Sequence, residues 1–126
     1  MTKKERSFGL KVKCIHFGMF DYSVSVVTGE YKYLQDYIRW KHDELEYHLE
    51  RHPCGNKGLT LITPGYAPII WLPKISKKTA VVATVSHECL HVVQSLFDWA
   101  GIPMNRSTDE VAGHALGYLV KEIFKK

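Results

Sequence analysis

The hydrophobic pattern of this chain changes period several times, and each change marks an element. Residues 9–17 alternate in part and predict a strand, with Val12, Cys14 and His16 on one face. Residues 18–21 read as a turn. Residues 23–28 alternate again, Val24 and Val26 against Ser23 and Ser25, so the two strands should form a hairpin. From 31 to 51 the period becomes helical: Leu34, Ile38, Leu45 and Leu49 form a stripe with Tyr37 and Trp40 beside it, and Pro53 and Gly55 end it. Residues 59–63 and 69–72 predict two short strands, separated by the Pro64-Gly65 turn and closed by Pro73. Residues 79–99 are rich in apolar side chains and free of Gly and Pro, a helix long enough to be buried, stopped by Gly101 and Pro103. A last helix spans 108–124, where Gly113 and Gly117 suggest a close helix–helix approach. The order ββαββαα predicts an α+β fold: a small twisted β-sheet with helices packed against it.

Composition adds bounds. A chain of 126 residues, 45% hydrophobic and 24% charged, should form a single domain over 1–126 with one core. Its net charge of +4 is mild. The lysines gather at Lys3-Lys4, Lys77-Lys78 and Lys125-Lys126 without interleaved aromatics, so a nucleic-acid partner is not expected. Neither a signal peptide nor an apolar run of transmembrane length is evident, so no membrane partner is expected. Cys14, Cys54 and Cys89 are odd in number and contain no CxxC, which fits a reducing cytoplasm.

The chemistry is concentrated in the predicted central helix, at His87-Glu88-Cys89-Leu90-His91. Positions i and i+4 share a helix face, so His87 and His91 can grip one zinc ion, with Glu88 as general base on a metal-activated water. Random placement of residues gives roughly 0.02 expected matches to this pattern in such a chain. Cys89 lies about 200° from His87 on the helical wheel and should face the core. A catalytic zinc needs a third protein ligand. Glu110, with eighteen residues between it and His91, can return across the metal on the last helix, and Asp109 is its rival. Ser107 to Glu110 also reads as a capping box, in which Glu110 would bind its own helix instead. His114 and Tyr118 follow Glu110 at one-turn intervals. Each is either an oxyanion donor beside the metal or a packing and support residue. His48 and His52, with His42, Glu50 and Cys54 nearby, form a second spacing compatible with metal, although a helix C-terminus favours such groups for ordinary reasons. If 59–63 or 69–72 is an edge strand, an extended peptide can add to it. Trp71 should be core, and Tyr66 lies in a surface loop that could reach over the site.

HECLH with a downstream Glu110 resembles the gluzincin group of HExxH zinc metallopeptidases over about residues 69–120. The whole chain also resembles small metallopeptidase-like proteins encoded by tailed bacteriophages, through Asp21-Tyr22-Ser23-Val24, Trp71-Leu72-Pro73 and the HECLH helix with Asp109-Glu110. The resemblance implies a zincin-like fold, Zn2+ held by His87, His91 and Glu110, Glu88 as base, a peptide or protein substrate, and the host cytoplasm as location. Where thermolysin-like relatives place an acidic residue one turn after the third ligand, this chain has His114, and it is too short for the second domain that walls their cleft. The leading expectation is a zinc-dependent peptidase. The alternative is a non-catalytic, zinc-stabilised domain that binds a host or virion protein.

Overall fold

A computed structural model describes residues 9–41, 57–63 and 65–125. The elements are β1 (Lys11–Phe17), β2 (Tyr22–Thr28), α1 (Tyr31–Lys41), β3 (Leu59–Leu61), β4 (Ile69–Leu72), α2 (Thr79–Ala100) and α3 (Asp109–Phe124). This is the order the hydrophobic pattern predicts. Leu45, Leu49, Cys54 and the His48–His52 pair lie outside the described residues.

The fold is α+β, with a mixed four-stranded sheet in the order β1-β2-β4-β3. β1 and β2 form the expected antiparallel hairpin, with Ile15 opposite Val24. β2 runs parallel to β4, and β4 antiparallel to β3 with Ile70 opposite Thr60. Of the two candidate edge strands, β3 is the edge among the described residues, and β4 is internal with all four residues buried. A strand covered on both faces needs apolar residues at every position, which explains the unbroken run Ile69 to Leu72.

Both faces of the sheet are covered. Ile15, Phe17, Val24, Val26, Ile70 and Leu72 pack against α2 and α3. On the other face Val27, Ile69 and Trp71 pack against Leu34, Tyr37 and Ile38 of α1. Trp71 is core, as expected, at 1% exposure, with its indole N–H donating to the Gly29 carbonyl at 3.0 Å. On β1, Cys14 and His16 are exposed, and the opposite face carries Ile15 and Phe17 into the core.

α2 carries an 18-residue window of mean hydropathy 1.2, long and apolar enough by composition to cross a bilayer. This corrects the expectation that no apolar run of transmembrane length is present: His87, Glu88, His91, Gln94 and Asp98 interrupt the helix without lowering its mean hydropathy below that of a span. Here its apolar side, including Val85, Cys89, Val92, Val93, Leu96 and Phe97, is buried in the domain core. The helix ends as the sequence predicts. Gly101 adopts φ 71°, its N–H donates to the Asp98 carbonyl, and the Ile102 N–H reaches the Phe97 carbonyl. This is the paired closure of a Schellman motif.

Two expectations for the last helix are corrected. The capping box does not form: α3 begins at Asp109 after Thr108, so Glu110 is its second residue and not its third. Asn105 intercepts Ser107, its Oδ1 accepting both the Ser107 N–H and the Ser107 hydroxyl. Nor do Gly113 and Gly117 mark a close approach, because a Cβ built at either meets nothing within 4 Å. The face of α3 that packs is the one carrying Ala115, Leu119 and Ile123.

Candidate metal centre

The strand–helix arrangement fixes the site. α2 presents His87 and His91 one turn apart on its exposed side, and their Nε2 atoms converge to 3.1 Å. The rings stand nearly perpendicular, at 84°. Two nitrogens each about 2.05 Å from a tetrahedral zinc would lie about 3.3 Å apart, so the pair is already spaced for that ion. The same distance also suits a hydrogen bond between one ring N–H and the other ring's bare nitrogen.

Glu88 points inward between the two histidines and β3, and only 8% of it is exposed. The Thr60 hydroxyl donates to Glu88 Oε1 at 2.7 Å and lies 3.2 Å from the Glu88 carbonyl oxygen. A buried carboxylate needs such a donor. The bond also orients the group, leaving Oε2 without a hydrogen-bond partner among the described residues. Thr60 was not singled out from the sequence. The available signal is a lone hydroxyl at the centre of Leu59-Thr60-Leu61, a strand otherwise apolar.

His87, Glu88 and His91 bring their ligand atoms within 4.8 Å of one another. Asp109, Glu110 and His114 do not join that group among the described residues. Glu110 is exposed, and its carboxylate lies 3.4 Å from His114 Nε2 on its own helix. The topology explains the separation. α2 packs over β3 and β4 while α3 packs over β1, the opposite edge of the sheet. His114 and Tyr118 line an apolar groove with Phe17, Met19 and Phe20 at the β1–β2 turn. The Tyr118 hydroxyl donates to the His16 carbonyl at 3.0 Å, and its ring packs on Phe17. Tyr66 lines a different groove with Asp21 and Trp99.

Beside the histidine pair, a cleft of about 570 Å³ lies between β3 and α2, with Thr60, Ile62, Glu88, His91 and Asp98 among its walls. At one end Gly58 lies against α2, where a Cβ would meet Thr84 Cγ2 at 3.0 Å. Nearby, the Tyr22 hydroxyl and the Ser95 hydroxyl share a hydrogen bond of 2.9 Å, and burial raises the Tyr22 phenol above its ordinary value. Cys89 faces the core as expected. Burial, with a smaller contribution from the Glu88 charge, pushes its thiol up to about 12. It is therefore neither a nucleophile nor a ready metal ligand.

Comparison with protein-family models, with curated proteins and with solved structures returned no match.

Proposed function

We propose that this chain is a zinc-dependent peptidase with a zincin-like active site. One observation carries the reading: two helical imidazoles converge at zinc spacing beside a buried, oriented carboxylate, at the mouth of a cleft that runs along an edge strand. Bound zinc would supply Lewis acidity toward a peptide carbonyl and a water acidified toward neutrality. The edge of β3 would hold an extended peptide by main-chain hydrogen bonds, bringing a scissile bond over His87 and His91. Glu88, steadied by Thr60 at Oε1, would take the water's proton on Oε2 and pass it to the leaving amine. In this reading Glu110 supplies the third ligand, giving up its contact with His114. His114 and Tyr118 line the groove at the β1–β2 turn, and this reading assigns them no step.

The position of Glu110 favours a second reading, a zinc-stabilised binding domain without catalysis. The two separate by experiment. Elemental analysis of the zinc-loaded protein should give one zinc per chain, lost in His91→Ala and reduced in Glu110→Ala, and Glu88→Gln should retain zinc while abolishing peptide cleavage. Zinc retained without cleavage by the wild type supports the binding domain. Absence of zinc from the loaded wild type overturns both.

A further inference from the structure

We infer that the β3–α2 cleft selects an extended peptide carrying lysine or arginine on the N-terminal side of the scissile bond, with Asp98 as the group that binds the cation. The inference rests on the peptidase reading and names the substrate class for it.

Charge is the first ground. The chain carries a net +4, yet among the described residues this cleft is walled by two carboxylates, Glu88 and Asp98, and by no lysine or arginine. Glu88 is engaged by Thr60 beside the histidines. Asp98 is exposed, and among the described residues no ion pair engages it.

Its place in the helix is the second. Asp98 sits in the last turn of α2, which holds no basic residue. The partial negative charge of a helix C-terminus disfavours a carboxylate there. Among the described residues no contact compensates for this, and departures from a local rule are expected at functional sites. Here carboxylate and helix terminus add up to a field that attracts a cation at the end of the cleft.

Direction is the third. Gly58 lies against Thr84, and Thr60 lies against Glu88. Two strand residues advance about 6.6 Å and four helix residues about 6 Å, so β3 and α2 run side by side in the same sense. A peptide antiparallel to β3 therefore enters with its N-terminal end at Asp98 and leaves toward Thr84. Asp98 is seven residues beyond His91, about 10.5 Å along the axis, or about three residues of extended chain. The cationic side chain belongs roughly two to four residues upstream of the cleaved bond.

The test uses the zinc-loaded full chain on a mixed peptide library, with cleavage sites read by mass spectrometry, followed by a matched pair of peptides with lysine or acetyl-lysine at the enriched position. Lysine and arginine should be enriched upstream. The lysine peptide should be favoured about three- to fivefold in kcat/KM at low salt, the upper part of the range of an exposed ion pair, with the ratio falling toward one at 1 M salt, where charges are screened within about 3 Å. Asp98→Asn should bring the ratio near one at low salt, and Asp98→Lys should turn it toward acidic peptides. Thermal unfolding of Asp98→Asn should match or exceed the wild type, since an unfavourable carboxylate is removed, so lost selectivity is not lost folding. Cleavage without upstream enrichment, enrichment only downstream, or enrichment unchanged in Asp98→Asn overturns the inference and leaves the peptidase reading standing. Absence of any cleavage by the zinc-loaded wild type overturns both.

Discussion

Replacing Thr60 with valine removes one hydroxyl and keeps the shape of the side chain. In the fold that hydroxyl donates to Glu88 Oε1 at 2.7 Å, within a site where Glu88 is 8% exposed. A hydrogen bond to a charged group contributes about 1.5–3 kcal/mol, and a buried acceptor left without its donor keeps its full desolvation cost. Partial rescue by cleft water places the expected loss near the lower end, about 1.5–2 kcal/mol. For a domain of this size that is roughly a 5–8 °C fall in Tm. Denaturation should be measured on the chelated protein, so that metal affinity does not enter. The same substitution in a Glu88→Gln background gives the sharper number. There the hydroxyl meets a neutral amide oxygen, a bond of about 0.5–1.5 kcal/mol, and the cost of Thr60→Val should fall by roughly half. Thr60→Ser should restore most of the stability. A loss below about 0.5 kcal/mol in the wild-type background, or an equal loss in both backgrounds, would show that the hydroxyl does not hold the carboxylate, and Thr60 would then have no positioning role.

Two further predictions concern the helices. Gly113→Ala and Gly117→Ala should each stabilise the protein by about 0.5–1 kcal/mol in chemical denaturation, because both positions lie in helix facing open space. Destabilisation by either would mean that the exposed face of α3 is occupied. Cys89 should make stability fall in alkali. Its thiol is held up to about 12 when folded, against an ordinary value of 9.0. Between those values the folded chain keeps a proton that the unfolded chain has lost, so stability decreases as pH rises, by about 1.4 kcal/mol per pH unit from this group. Removing the group by Cys89→Ala should flatten the slope of ΔG against pH over that window. An unchanged slope would place the thiol in contact with water.

What the sequence makes legible follows from the range of the interactions involved. The shared face of Val24 and Val26, the Leu34–Ile38 stripe and the closure at Gly101 are set by neighbours within a turn or a strand pair, and all three are realised, although Ser25 on the other face of β2 is buried as well. The spacing of His87 and His91 is a local property of any helix, so the converging imidazoles can be read directly from HECLH. Thr60 cannot, because its bond to Glu88 joins residues 28 apart across a strand–helix contact. Nor can the two glycines. A missing side chain suits a close contact and open solvent equally, and only the packing of Ala115, Leu119 and Ile123 decides which face is free.

Glu110 shows why spacing alone cannot place a third ligand. Eighteen residues between His91 and Glu110 fix a contour length but not a direction, and direction is set by the turn between α2 and α3. Ile102 reaches back to the Phe97 carbonyl and is partly buried against the core, which anchors the exit from α2. Six residues on, the Thr108 hydroxyl donates to the Pro103 and Asn105 carbonyls while accepting from the Asn105 N–H. These bonds start α3 one residue later than a Ser107 cap would. One residue is about 100° of helix rotation, enough to move a side chain from one face to another. With α3 drawn over β1 by Leu119 and Tyr118, the Glu110 carboxylate settles against His114 and not with the histidine pair. A metal at His87 and His91 that recruits Glu110 must therefore rework the 101–108 turn or the first turn of α3, while the Glu88–Thr60 side of the site, anchored on the sheet, has no need to move.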